Sequence, residues 1–200
     1  MGTIVVQEFV TLDGVAQAPG GPGEDGEGGF PYQGWQADYP DDSDLIESWE
    51  SKVEALLLGR KTYEIWVDAW GSWPEDAPGL MGEFTRRYNR VTKYVASSTL
   101  TELRWKNSQL LGPDVPDAVR RLREEQEGEI RVWGSLDLIR TLAEHDLVDE
   151  YRLLIHPLVL GGGKRLFPEG FPPSRLALAE SRVLSSGVVV AIYRPTARIG

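Results

Sequence analysis

Residues 59–62, Gly-Arg-Lys-Thr, are the stretch of this chain best equipped for chemistry. A short apolar run, Ala55-Leu56-Leu57-Leu58, stops at Gly59, and Tyr63, Ile65 and Trp66 follow at a helix-compatible spacing. The pattern is buried strand, tight turn, helix start. Main-chain N–H groups at such a junction lack intrahelical partners and carry the positive end of the helix dipole, so an anion fits there. Arg60 adds a planar fork, Lys61 a point charge and Thr62 a hydroxyl, which narrows the anion to a phosphate. The same residues serve equally well as a solvated pair of charges on an ordinary strand-to-helix turn.

Two further turns share this design. The strand expected over Arg90 to Ser97 ends in three hydroxyls, Ser97-Ser98-Thr99, which either cap a turn or bind a ligand. The strand expected over Ile130 to Trp133 breaks at Gly134-Ser135, ahead of an amphipathic helix through Leu136, Leu138, Ile139, Leu142 and Ala143. Asp137 in its first turn suits the helix dipole and competes with an anion. Asp13 and Asp44 are the candidates for polar work on a substrate, against the plainer readings of a turn-forming Asp and a helix cap. His145 and His156 are too few for a metal site, so no metal is expected; a helix end and a strand terminus are their expected places. Trp35, Tyr39, Trp49 and Trp66 wall an aromatic pocket, or, more commonly for such residues, pack in the core or form a dimer face. Two glycine patterns are rejected. Gly21 to Gly26 matches GxGxxG, but no strand feeds it and Glu24 and Asp25 would repel a pyrophosphate. Gly163-Lys164 lacks the first glycine and the Ser or Thr of a Walker loop.

The elements that hold these residues are legible in outline. Thr3 to Val10 is a β-branched first strand. Residues 14–34 carry eight Gly and three Pro among acidic residues, a long irregular loop inside one domain. Asp41, Asp42, Ser43 and Asp44 precede a helix whose apolar face takes in Leu45, Ile46, Trp49, Val53 and Leu56. Gly79 to Tyr88 is a further short helix and Leu110-Leu111 a short strand. Asp114 caps the clearest helix, with Pro116 in its first turn and Gly128 beyond its end. Val148 to His156 is a strand, and Leu176 to Leu184 pairs with Val188 to Tyr193 as an antiparallel hairpin. Strands alternating with helices and closing on a hairpin predict a three-layer α/β domain spanning 1–200, with a mostly parallel central sheet. Its three small-residue turns would then line up on the carboxyl edge, where ligands bind in such sheets.

Charge narrows the partners. Residues 1–51 hold eleven Asp or Glu and no Lys or Arg, while residues 52–200 hold twenty acids and twenty-one bases. The excess negative charge of −10 therefore belongs to the first quarter, which argues against nucleic acid and places any phosphate-bearing ligand on the later chain. Without cysteine there is no disulfide framework and no thiolate metal site. No basic flank with an apolar segment opens the chain, so neither a signal peptide nor a membrane span is expected, and the cytoplasm is the default compartment.

GRKTYE at Gly59 to Glu64, ASSTL at Ala96 to Leu100, VWGS before a helix, LDG at Leu12 to Gly14 and LVDEYRLLIHPLVLGGGKRLF from Leu147 to Phe167 together resemble the dihydrofolate reductase-like superfamily. They are most similar to the branch that holds the reductase (RibD C-terminal) domain of riboflavin-synthesis proteins, over nearly the whole chain. The resemblance implies a dihydrofolate reductase-like fold, NADPH binding and hydride transfer. It places Arg60 and Lys61 at the adenosine 2′-phosphate, Thr62 and the turn amides near the pyrophosphate, and Ser97, Ser98 and Thr99 at the adenosine end. Gly134, Ser135 and Leu136 take the place of a paired-glycine turn beside the cofactor, with Ser in place of the second glycine. A homodimer is implied, as is a small heterocyclic substrate such as 5-amino-6-(5-phosphoribosylamino)uracil. The acidic segment from Asp13 to Asp44 would face that substrate without one basic residue, unless Lys164 or Arg165 reaches in. The alternatives are a catalytically silent nucleotide-binding protein of the same fold and an interaction protein working through its acidic loop.

Overall fold

Short apolar runs, too uniformly hydrophobic for a surface helix, become strands buried on both faces. The computed structural model describes residues 1–39 and 43–199. Its strands are β1 (Thr3–Thr11), β2 (Val53–Gly59), β3 (Thr92–Ala96), β4 (Ser108–Leu110), β5 (Glu129–Trp133), β6 (Glu150–His156), β7 (Ser174–Val183) and β8 (Val189–Arg198). The helices are α1 (Ser43–Glu50), α2 (Arg60–Trp66), α3 (Gly79–Arg90), α4 (Val115–Glu125) and α5 (Leu136–Glu144). The strands form one sheet in the order β4-β3-β2-β5-β1-β6-β8-β7. β2 runs parallel to β3 and β5, and β3 to β4, whereas β8 is antiparallel to β6 and β7. This is the mostly parallel sheet with an antiparallel C-terminal hairpin that the strand–helix alternation predicts, and it is dihydrofolate reductase-like. Among the described residues no helix is long and apolar enough to cross a membrane.

The chain divides into two units. One comprises Met1–Val5 and Ser43–Leu147, the other the described residues of 6–42 and 148–200. In the first, Leu56, Leu58, Tyr63, Tyr88, Val95 and Trp105 form a core flanked by Trp66, Trp70 and Phe84. Asp114 caps α4 by accepting the Asp117 N–H at 3.0 Å, as its position before Pro116 predicts. The apolar face expected on α1 is shorter than predicted. The helix ends at Glu50, and Val53 and Leu56 belong to β2, because short apolar runs fit both the helical and the strand period and sheet pairing of Val53 with Glu129 decides between them. Asp41 and Asp42, expected at its cap, lie outside the described residues.

A buried ionic network lies beneath this sheet. Arg131 is fully buried on β5; it donates to the Glu50 carboxylate at 3.0 Å, to the Trp49 carbonyl at 3.2 Å and to the Glu129 carboxylate. Tyr88 donates its hydroxyl to the other Glu50 oxygen at 2.7 Å, and burial, followed by the Glu50 charge, raises the phenol well above its ordinary range. Close by in sequence, buried Lys93 donates to the Tyr88 and Val91 carbonyls at 2.7 and 3.0 Å, which caps α3, and lies 4.7 Å over the Trp105 ring. Burial lowers its pKa to about 8.

In the second unit the glycine-rich loop has a small core of its own. Val15, Ala18, Phe30 and Trp35 are buried together, with Phe9, Leu158 and Leu160 against them. Gly163, at φ +122°, is required where the chain passes this core, since a Cβ there would stand 2.7 Å from the Phe30 ring. His156 closes β6 at zero exposure, as a strand-terminal histidine: its Nδ1 lies 2.9 Å from the Leu154 carbonyl, and the rings of Phe9, Trp35 and Tyr39 stand edge-on at 5.7, 5.1 and 5.4 Å. Burial lowers its pKa below 6.5, although the Leu154 and Val10 carbonyls favour the charged form. The hairpin is longer than predicted, and β8 continues through Pro195 to Arg198. Proline is tolerated there because β8 pairs with β6 only over Val189 to Tyr193, leaving the outer stretch a two-stranded ribbon.

Two outcomes follow from these packings. Glu50→Ala removes one of the two carboxylates that hold Arg131 in a dry site, and the acceptor of Tyr88 with it, and should cost about 3–5 kcal/mol in denaturant unfolding, with Glu50→Gln losing less; a loss below about 1 kcal/mol would show that the network is not needed. For His156 the folded pKa lies below the unfolded one, so the folded state binds fewer protons between them. Its stabilising share is complete above the unfolded value and is lost as pH falls through the folded one, so stability should decline as pH drops below about 6.5, and His156→Phe should flatten that slope.

Candidate functional site

Parallel pairing brings the ends of β2, β3 and β5 to one edge of the first unit. Gly59 lies opposite Ala96, and Leu56 opposite Arg131, so the chain leaves all three strands on the same side. Turns separated by tens of residues in sequence, at 59–62, 97–99 and 134–136, thereby share the carboxyl edge, where open parallel sheets bind ligands.

Each turn has its own geometry. Gly59 is extended (φ −73°, ψ 159°) and delivers the chain into α2. Arg60 pairs with Glu64 at 2.8 Å, an i,i+4 pair with both side chains about two-fifths exposed (40% and 42%). Exposed pairs of this kind contribute only a few tenths of a kcal/mol, so a doubly charged phosphate can take Arg60 from Glu64 (about 0.3–0.5 kcal/mol). Lys61 is exposed beside it. Ser97 uses its hydroxyl to accept the N–H groups of Thr99 and Leu100 at 3.1 and 3.0 Å, the capping use, while Ser98 and Thr99 are exposed. Gly134 (φ +53°) and Ser135 (φ +57°) are both left-handed. A Cβ at Gly134 would stand 2.9 Å from the Thr62 hydroxyl oxygen, so that position needs glycine on two counts. Leu136 opens α5 partly buried, with Asp137 exposed in its first turn.

One feature of this edge was not visible in sequence. The Gly59 N–H donates to Ser135 Oγ at 2.9 Å, Ser135 Oγ donates to the Trp133 carbonyl at 3.0 Å, and the Ser135 N–H donates to Thr62 Oγ1 at 2.8 Å. Two amides expected near a phosphate are thus already bonded within the protein: the Ser135 amide by the Thr62 hydroxyl, and the Gly59 amide by a serine hydroxyl that a second glycine would lack. Thr62 accepts here, so its own hydroxyl proton can still be donated to an anion. No local signal foretells these bonds; the Arg60–Glu64 spacing, by contrast, is readable from the helix period.

Asp13 belongs to the second unit. Its carboxylate accepts the Thr11 hydroxyl at 2.6 Å and the Leu160 and Gly161 N–H groups at 3.2 and 2.9 Å, with Arg165 at 3.6 Å. The Thr11 hydroxyl holds it below the usual carboxylate range; burial, the next influence, opposes this, and the Gly161 and Leu160 amides add to the lowering. Lys164 donates to Asp25 and Glu27 at 2.5 and 2.6 Å, and its N–H to the Gln17 amide oxygen at 3.0 Å. Both cations that sequence offered to a phosphorylated substrate are therefore engaged by acids of the glycine-rich loop. Asp44 lies exposed in the first turn of α1. Of the four aromatic residues considered for a pocket wall, Trp35 and Tyr39 pack on His156, while Trp66 packs on Trp70, Tyr88 and Trp133 and Trp49 is buried under α1.

The chain is 30% identical over 192 residues to YyaP of Bacillus subtilis (strain 168), a protein described as uncharacterised, covering 95% of this chain and 93% of that one. A crystal structure from Shewanella sp. PV-4, provisionally assigned to riboflavin biosynthesis, superposes with a TM-score of 0.72 at 22% identity, covering 97% of this chain and 99% of the other. Dihydrofolate reductase from Enterococcus faecalis, solved with NADP(H), superposes with a TM-score of 0.58 at 15% identity, covering 97% and 96%. At those identities the two structures show the fold alone. The family described as the RibD C-terminal domain matches residues 2–190, and the chain belongs to that family.

Proposed function

We propose that this protein is an NADPH-dependent reductase of a small heterocyclic substrate. The carrying observation is the convergence of the Gly59, Ser97 and Gly134 turns on one carboxyl edge, with Arg60 and Lys61 at its mouth. Family membership in a reductase-type fold supports the same reading. The donors present suit a phosphorylated dinucleotide: a guanidinium, an ammonium and the hydroxyls of Thr62, Ser98 and Thr99. Arg60 and Lys61 would hold the adenosine 2′-phosphate, Thr62 the pyrophosphate, Ser97 to Thr99 the adenosine end, and Gly134 to Leu136 the flank of the nicotinamide. When bound, the cofactor supplies a hydride. The chain's own share is to orient it and exclude water.

For the substrate, the riboflavin-pathway reaction on a phosphoribosylaminouracil is the family's example. Lys164 is engaged by Asp25 and Glu27, while Arg165 only approaches Asp13 at 3.6 Å, so Lys164 in particular favours a heterocycle without a phosphate at that loop. Asp13, ionised and surrounded by donors, acts as a tie between loops and does not supply the proton; Asp44 keeps its candidacy for polar work. A silent nucleotide-binding protein is the rival reading, separated by assaying cofactor oxidation across pterins, pyrimidines and flavins.

The outer hairpin suggests that a second copy binds there. Every residue of β7 after Ser174 is exposed, Leu176 and Leu178 among them, and residues 174–198 carry four arginines and one glutamate on a chain of net charge −10. An isolated two-stranded ribbon is marginal in water, and a cationic one complements the acidic remainder of its own twin.

Titration should show NADPH binding more tightly than NADH, and Arg60→Ala with Lys61→Ala should remove a preference of about tenfold or more. Equal affinities in the parent protein would contradict the assignment. Light scattering should give a dimer that Leu176→Glu with Leu178→Glu converts to a monomer; a monomeric parent at tens of micromolar would end the dimer proposal.

A further inference from the structure

Ser135 holds a backbone conformation that costs a serine more than a glycine, at φ 57° and ψ 39°. Three hydrogen bonds keep it there. Its hydroxyl takes the Gly59 N–H at 2.9 Å and gives its own proton to the Trp133 carbonyl at 3.0 Å, and its N–H goes to Thr62 Oγ1 at 2.8 Å. The bonds to Gly59 and Thr62 span 76 and 73 residues of sequence and run in opposite senses between the same two turns. Gly134 fits between them only because it has no side chain. Gly59, Thr62, Gly134 and Ser135 therefore interlock the turn after β5 with the start of α2.

Two consequences follow. The Gly59 and Ser135 amides are spent inside the protein, so an anion on this edge meets side chains first: Arg60, Lys61 and the Thr62 hydroxyl. In addition, the residue immediately before Arg60 is pinned by Ser135, so the direction in which Arg60 and Lys61 leave the sheet is set from β5. Arg60 itself has only an exposed, exchangeable partner in Glu64 and cannot fix its own position.

We propose that Ser135 is a positioning residue for cofactor selectivity: its hydroxyl, by holding the Gly59 amide, sets where Arg60 and Lys61 present charge to a 2′-phosphate that Ser135 does not touch. The inference rests on the NADPH reading above and adds to it a residue that acts at one remove. Glycine is at ease in this conformation, so Ser135→Gly removes the hydroxyl without threatening the fold, and its melting temperature should match or exceed that of the parent.

The test is dinucleotide titration of the full chain by fluorescence, for NADPH and NADH in parallel. Ser135→Gly should weaken NADPH about fivefold more than it changes NADH, narrowing the preference. Thr62→Val should weaken both dinucleotides, since Thr62 is placed at the pyrophosphate, and Thr62→Ser should restore both. In the Arg60→Ala, Lys61→Ala background, Ser135→Gly should not change the ratio further. A purely structural role would lower both affinities together. An unchanged ratio in Ser135→Gly, or an equal change in the doubly substituted background, overturns the inference while leaving the cofactor assignment standing. A parent that does not discriminate between the dinucleotides overturns both.

Discussion

Parallel hydrogen bonding of β2, with β3 on one side and β5 on the other, is the constraint on which the candidate site depends. Parallel strands must all leave the sheet at the same edge, and each then needs a turn before its return path. Here those turns are built from glycine, serine and threonine. Small residues there leave space and polar atoms at an edge that would otherwise be closed by side chains. The buried Leu56-Leu57-Leu58 run of β2, flanked by two strands, holds the edge rigid enough for Arg60 and Lys61 to start from a fixed point.

Beneath the same strands the unit keeps a charged network that a purely apolar core would not need. Arg131, Glu50, Glu129 and Tyr88 satisfy one another out of water, and Lys93 caps a helix from inside. Such groups cost desolvation, and what they return is a demand for correct partners: each carboxylate or guanidinium is tolerable only where its mate is present. The second unit solves a related problem at its surface. Its glycine-rich loop is acidic and carries little regular structure beyond one 3-10 turn at Glu27–Gly29, yet Gln17, bonded to the Asp25 and Glu27 carbonyls and to the Lys164 amide, and Asp13, bonded to the Leu160 and Gly161 amides, fasten it to the segment after β6. Backbone donors and acceptors of two loops are thereby satisfied by two side chains, Gln17 and Asp13, while the Lys164 ammonium pairs with the Asp25 and Glu27 carboxylates.

Much of this architecture was legible beforehand. Apolar period and turn residues foretold α1 to α5 and β1 to β8, most of them to within a few positions, because those signals are local: Asp114 caps where it should, and Gly59 stops its strand where it should. The misreadings share one origin. The first helix was extended into Val53 and Leu56, and β8 was ended at Tyr193, because strand pairing, which decided both cases, is a property of the neighbour and not of the segment.

Sequence alone determined the elements, the confinement of excess acid to the first 51 residues, and the three small-residue turns, since each follows from residue type and near spacing. Only tertiary structure decided which polar groups remain available. That the Gly59 amide belongs to Ser135, that Lys164 and Arg165 are held by loop acids, and that Arg131 finds Glu50 depend on contacts across 76 residues or more. Hydrogen bonds and ion pairs act over a few ångströms of space and carry no trace in local periodicity, so they become readable only once the chain has brought their partners together.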